Sequence, residues 1–409
     1  MLLRNATLAD AAGVRDGDLR VAEGQIADAG DLTPRGDEAV VDCEGRAIVP
    51  GLVDAHVHLS LSGEPSVEDV VGMSDAELAL VEARNARATL AAGVTGIRAM
   101  GARDVDVHVR DRIAAGDLPG PRTVANCRSI TATGGHGHHL GREITGVDDA
   151  RKAVREQAKR GAEFIKFMVT GGVTTPGTDP DAVALTDAEV DALVEEAHRH
   201  GMHAATHAHG AAGVKAAVDA GVDTVEHGTF LDDDAVDALV REDVTLVPTL
   251  SAPYRIVRNV EAATADVRHK TERVYERHIE SFRRAVEAGV RVAGGTDAGT
   301  PFNTHGANAS EVGFMADYAM DPLDALTAMT KASADAVGLD GQGTLEPGTH
   351  ADLLVCGADP TGDLTTLNDP LVVIKGGEVV AGADRGLRRA VADAAATDRP
   401  AGGVGLTAE

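Results

Sequence analysis

Between about residue 51 and residue 340 one pattern keeps returning: apolar positions at helical spacing, a terminating glycine, then a short, nearly continuous apolar run. The clearest unit begins at Ser74, which pairs with Glu77 as a capping box; Gly93 stops the helix and VTGIRAM follows as a strand. Thr186 with Glu189 starts another, Gly201 ends it, and MHAATH is its strand. On this basis strands are predicted at 52–58, 94–100, 122–128, 163–169, 202–207, 222–227, 244–249 and 290–296, the count of an α/β TIM barrel, (β/α)8. A doubly wound open sheet is the rival, because alternation alone fits both.

The flanks have a different texture. Residues 1–50 and roughly 343–382 alternate short β-prone runs with turns and lack long helices. They are expected to form one small β-sandwich subdomain from both termini, so that 1–50 and 343–409 frame a barrel at 51–342. From about Asp384 the chain is rich in Ala and Gly, and a helix fragment with a loose tail is expected there.

Composition adjusts this picture. With 43% hydrophobic but only 2% aromatic residues and no Trp, the core must be built from Val, Leu, Ile, Ala and Met. A formal charge of −27 would repel phosphate backbones and anionic bilayers, so neither nucleic acid nor membrane is an expected partner. Scarce Lys and abundant Asp fit a halophilic protein kept soluble in high salt, with an ordinary acidic cytosolic enzyme as the alternative. Cys43, Cys127 and Cys356 are widely spaced and form no Cys-x-x-Cys pair, which points away from disulfides and thiolate zinc sites and towards a reducing compartment. No apolar run approaches the ~20 residues of a membrane span, so a soluble, cytoplasmic protein is expected.

The chemistry gathers at strand ends. VDAHVHL places His56 and His58 two residues apart, on one face of the first strand at the rim where barrel enzymes keep their sites. A lone pair of this kind is more often structural. Lys166 lies in the apolar strand EFIKFMV, where an ammonium needs a carboxylate partner or a depressed pKa; a snorkelling lysine is the bland alternative. HAATHAHG and DTVEHG supply His207 and His227, and VRVAGGTDAG supplies Asp297, a carboxylate able both to bind a metal and to accept a proton. His203 begins its strand and His209 lies past the turn, so both rank lower. Five strands each offering a nitrogen or oxygen donor at one rim is hard to explain as packing.

This set resembles the amidohydrolase superfamily with binuclear centres, over nearly the whole chain. There an HxH on strand one, a carboxylated lysine on strand four, single histidines on strands five and six and an aspartate on strand eight form the site; His56, His58, Lys166, His207, His227 and Asp297 match in order. The resemblance implies two divalent ions, zinc foremost with manganese, cobalt or iron also fitting, and a carbamate on Lys166 bridging them. Within the superfamily the stretches TGGHG, TGGV, EHGT, GTDAGTPFN and LEPGTHADLLV are similar to those of the imidazolonepropionase-like metal carboxypeptidases and prolidases. Members often carry Tyr after EHGT; here Phe230 stands in its place and a hydroxyl donor is lost.

In the glycine-rich TATGGHGHHLG, His136 is the candidate to bind or polarise the substrate carbonyl. Asn303 and His305 follow strand eight and either touch substrate or brace the loop; Arg142 is the candidate partner for a substrate carboxylate. The expected activity is hydrolysis of a C–N bond in a dipeptide or N-acyl amino acid, Xaa-Pro dipeptides foremost, by metal-activated water with Asp297 shuttling the proton. The alternatives are a one-metal cyclic amidase or deaminase of the imidazolonepropionase type and, outside enzymes, an inactive scaffold. The partner is a small molecule or dipeptide; self-association into a homo-oligomer is left open.

Overall fold

The computed structural model describes residues 1–397. Leu52–Val57, Val94–Ala99 and Arg122–Ala125 form one parallel run, and Phe164–Met168, His203–Gly210, Thr224–Phe230 and Thr245–Val247 form another. Helices return the chain between most of these strands, and both faces of the strands are buried, as an all-parallel sheet requires. On Phe164–Met168, Ile165 and Phe167 pack outward against the helices, whereas Phe164 clusters with Met100, Val124 and Ala205 inside the ring. Lys166 shares the parity of Phe164 and so faces inward too.

Two seams join the runs into a closed (β/α)8 barrel. At the first, Glu163 donates its N–H to Ala125 O (2.8 Å), while the Asn126 amide spans the gap, accepting from Lys166 N (2.8 Å) and donating to Met100 O (3.0 Å). At the second, the run expected as a strand at 290–296 makes only isolated bridges, Leu246 with Val292 and Val57 with Ala298, supplemented by Ala55 N to Gly294 O (2.9 Å). The departure has a steric cause. A Cβ on Gly295 would lie 2.5 Å from Val247 and 2.9 Å from His56, and one on Gly294 would lie 2.2 Å from the Met329 sulfur. The backbone is pressed too closely between its neighbours to pleat regularly.

Asp54 holds this second seam. Its carboxylate accepts from the Thr296 N–H (3.0 Å) and hydroxyl (2.6 Å), from Asn308 Nδ2 (2.8 Å) and from the His56 N–H (3.1 Å), tying the first and last staves together beneath the rim.

Both ends of the chain meet in a second unit, an eight-stranded sheet. Its path runs Glu378–Ala381, Val372–Lys375, Leu353–Cys356, Ala47–Pro50, Leu2–Asp10, Gly13–Ala22, Gln25–Gly30, with Val40–Asp42 also paired to Leu2–Asp10. Leu3, Leu8, Leu19, Ile48, Val355 and Ile374 form its core, closed by Val391 from the helix Arg385–Thr397. That helix is longer than the fragment expected from Asp384; the tail expected after it falls outside the described residues. Gly51 alone separates this sheet from the first barrel strand, and a Cβ there would sit 2.2 Å from Thr95 Oγ1. Among the described residues no helix is long and apolar enough to cross a membrane.

Replacing Asn126 by Leu strands a buried N–H on Lys166, while the Met100 carbonyl keeps the Ser129 hydroxyl (2.9 Å). A loss of about 1–3 kcal/mol is expected, read as a lower urea midpoint by circular dichroism, whereas an unchanged midpoint would show that the seam is held elsewhere.

Candidate metal centre

The barrel rim gathers the donors that the strands deliver. His56 is in the first strand and His58 just beyond it, Lys166 is mid-strand in the fourth, His207 and His227 are near the ends of the fifth and sixth, and Asp297 follows the eighth stave. Three residues here have left-handed backbone without being glycine: His227 (φ +74°), Asp297 (φ +60°) and Thr249 (φ +55°). Each costs on the order of 1–2 kcal/mol, so the fold holds strain where the chain must turn a side chain into the mouth.

The imidazoles are preset by what grips their far sides. His56 Nδ1 is 2.7 Å from Glu226 Oε2, which leaves Nε2 facing Asp297 Oδ1 at 3.3 Å. His58 Nε2 lies 3.1 Å from the same oxygen. His207 donates from Nε2 to Gly171 O (2.9 Å), which leaves Nδ1 with its lone pair; His227 Nδ1 bonds Thr249 Oγ1 (2.7 Å). Orientation of a ligand histidine by a partner on its other nitrogen is how metal sites are kept in register.

The donor set fits divalent cations. Ring nitrogens and carboxylate oxygens of His56, His227 and Asp297 lie within 4.8 Å of one another, as do the donors of His207, His209 and His227. Lys166 Nζ and Asp297 Oδ1 are buried with no well-aligned hydrogen-bond partner, a cost that a shared cation would relieve. Burial depresses His58 and drives His207 and His227 well below the usual imidazole range, so these rings are neutral and their lone pairs available. Burial alone would raise Asp297, but contacts with His56 and His58 outweigh it and hold its carboxyl well below the ordinary range.

Beneath the rim lies a charged stack. Arg98 is buried along the barrel axis over the Phe164 ring, donating to Ala55 O (2.8 Å), Thr224 Oγ1 (3.0 Å) and Glu226 Oε1 (2.7 Å). Glu226 therefore stays ionised despite burial, held low by Arg98, Lys166 and His56. Burial pulls Lys166 down to about 8, with Glu226 opposing the fall.

The remaining candidates divide. His136 lines the cavity with its ring 4.4 Å from His207; it is seated against Gly172, where a Cβ would strike the ring at 2.4 Å. Its loop is anchored by Gly137 N donating to Thr175 Oγ1 (3.0 Å), while Lys270 Nζ donates to Thr175 O (2.7 Å). Burial lowers His136 to about 3. Arg142 is not brought to the cavity: its fork is taken by Asp149 (2.7 Å) and Glu156 (3.0 Å), because acidic residues of the following helix reach it first. Asn303 and His305 brace the loop, donating to Thr296 O (2.7 Å) and Leu61 O (2.9 Å), and Phe230 lies outside the cavity lining, paired with Gly210 at the strand end. His209 corrects the expectation that it lies past the turn. The fifth strand runs to Gly210 because its ladder with the sixth continues through Ala208 and Gly210, and His209 lines the cavity. Sequence reasoning missed Arg98, Glu226 and Asp54. Arg98 carried the same signal as Lys166, a cation inside an apolar strand, and Glu226 stood beside His227 in DTVEHG.

Known proteins resemble this chain in sequence and in fold. The profile of the Amidohydrolase family matches residues 47–380. A crystal structure of a Xaa-Pro dipeptidase with methionine bound in its active site superposes with a TM-score of 0.86 at 31% identity, covering 93% of this chain and 99% of that one. Ochratoxinase of Aspergillus niger is 27% identical over 369 residues, 82% of this chain and 76% of that protein. Imidazolonepropionase of Nocardia farcinica is 27% identical over 376 residues, 84% and 86%.

The depressed pKa of Lys166 has a signed consequence for chelator-treated protein. In the folded state it is about 8, against 10.5 for a free lysine, so the burial cost is fully present below pH 8 and is relieved as pH rises towards 10.5. The stability difference between wild type and Lys166→Met should therefore shift in favour of wild type across that window in urea unfolding series; a flat difference would place the ammonium in contact with water.

Proposed function

The chain belongs to the amidohydrolase family and hydrolyses carbon–nitrogen bonds, and on that premise we propose that it cleaves the amide bond of a dipeptide or N-acyl amino acid, Xaa-Pro dipeptides foremost. The observation that carries this reading is the buried, unpartnered Lys166 amine beneath converging imidazoles and the Asp297 carboxylate. Two divalent cations, zinc foremost, would be held by His56, His58, Lys166, His207, His227 and Asp297. A carbamate on Lys166, formed if the neutral amine added to the carbon of CO2 and lost a proton, would give these cations oxygen donors in place of a buried ammonium. When bound, such cations lower the pKa of water towards ~7 and polarise a carbonyl.

The chain's own groups do the rest. Asp297, held ionised, accepts the proton of the attacking water and returns it to the departing nitrogen as the C–N bond breaks, leaving a carboxylic acid and an amine. His136, kept neutral by burial, can donate one N–H to the substrate carbonyl without adding a charge that repels the cations. Leu61, Val67, Met168, Val173, Ile256 and Val274 give the cavity apolar walls that exclude water and suit an apolar acyl side chain. Likeness to a Xaa-Pro dipeptidase supports the peptide substrate.

Likeness to imidazolonepropionase favours one second reading, a cyclic amidase or deaminase working with one metal. Metal content near one per chain with activity surviving Lys166→Ala would select it. Under the main reading, metal-loaded enzyme releases amino acids from a panel of dipeptides and N-acyl amino acids, and chelation abolishes release. Asp297→Asn should lower kcat by about 10²–10⁴-fold. No turnover of any panel member by metal-loaded enzyme would overturn the proposal.

A further inference from the structure

A buried hydrogen-bond chain runs from the cavity into the barrel wall and ends on a group that can only accept. Pro248 O lies 2.7 Å from His278 Nε2, and His278 Nδ1 lies 2.9 Å from Thr229 Oγ1, which is 2.7 Å from His209 Nδ1. A carbonyl has no proton to give, so His278 must donate from Nε2. Burial pulls His278 down to about 4, so its ring is neutral and Nδ1 is an acceptor. The Thr229 hydroxyl must then donate to His278, which leaves its oxygen to accept from His209 Nδ1–H. The direction of every bond is set by the far end. With the proton of this bond on Nδ1, Nε2 is the ring nitrogen left with a lone pair, on a side chain that lines the cavity beside His207 and His227.

We infer that His209 is a specificity residue: a fixed hydrogen-bond acceptor, held by Thr229 and His278 as positioning residues, that recognises an N–H donor on the substrate. The inference rests on reading this cavity as the amide-hydrolase site. It is not assigned by the six-donor set, which uses His207 and His227 on either side. Two sources could supply the donor. An Xaa-Pro dipeptide has no hydrogen on its scissile nitrogen and would present its α-ammonium; an N-acyl amino acid would present the amide N–H itself.

Three compounds separate these cases: methionyl-proline has only the ammonium, N-acetylmethionine only the amide N–H, and N-acetylproline neither. Full-length metal-loaded wild type, His209→Leu, His209→Gln and the isosteric Thr229→Val would be compared by steady-state kinetics and by calorimetric binding, which does not depend on turnover. The expected result is a KM and Kd for one donor-bearing compound raised about 10–100-fold in His209→Leu, with kcat changed far less. His209→Gln, which keeps an acceptor, should recover most of the loss, and Thr229→Val should show a smaller rise of the same selectivity. N-acetylproline should be indifferent to all three changes, and metal content should stay at the wild-type value. Which donor-bearing compound responds identifies the source. Equal losses for all three compounds, loss of metal in His209→Leu, or no measurable affinity of wild type for any of them would overturn the inference. Donor-selective binding without turnover would uphold it while sinking the proposed reaction.

Discussion

The structure depends on one buried ionic contact, Arg98 with Glu226, in the middle of the barrel. A guanidinium and a carboxylate removed from water are tolerable only when nearly every donor and acceptor is matched, and here Arg98 is matched by Ala55, Thr224 and Glu226. The second oxygen of Glu226 is thereby free to hold His56, so the geometry at the mouth is referenced to this anchor. Negative charge at Glu226 also opposes the desolvation of Lys166. Fold and site are therefore not separable in this region: the interaction that fills the barrel interior is also the one that aims a ligand and sets the charge beneath it.

Around that axis the barrel departs from regularity where the chemistry sits. Both seams rely on side chains, Asn126 at one and Asp54 with Asn308 at the other, and the eighth stave lacks a continuous ladder. Left-handed residues at His227, Thr249 and Asp297 lie on the same rim. A fully regular ladder would direct successive side chains alternately in and out and could not turn so many of them upward. The rigid lower barrel and its apolar helical layer are what keep such strained turns in place.

Much of this was legible in the sequence because it is local. Capping boxes at Ser74 and Thr186, glycine stops and apolar runs depend on neighbours a few residues apart, and the structure has both boxes. The six donors were legible because each interrupts or ends an apolar run. What escaped depends on distant partners. Arg142 looked available until Asp149 and Glu156 claimed it, and nothing in the order of residues says which acidic group arrives first. His209 was misplaced because the end of a strand is fixed by how far its neighbour continues the ladder, not by its own composition. The eighth stave has strand-like residues but a glycine pair whose tight packing appears only when Val247 and Met329 are in position.

The long helix Ala265–Glu287 lines the cavity with Val274 and braces it at two further places. Lys270 reaches the loop that carries His136 by way of Thr175, and His278 reaches His209 by way of Thr229. The two contacts are eight residues apart on one rod, about 12 Å at helical rise, so they cannot be adjusted independently. A small tilt of that rod would move both contacts together, and with them His136 and His209, the two neighbours of His207. Changes on its outward face, far from any substrate, are thus a route by which selectivity could drift without touching a single ligand-bearing residue.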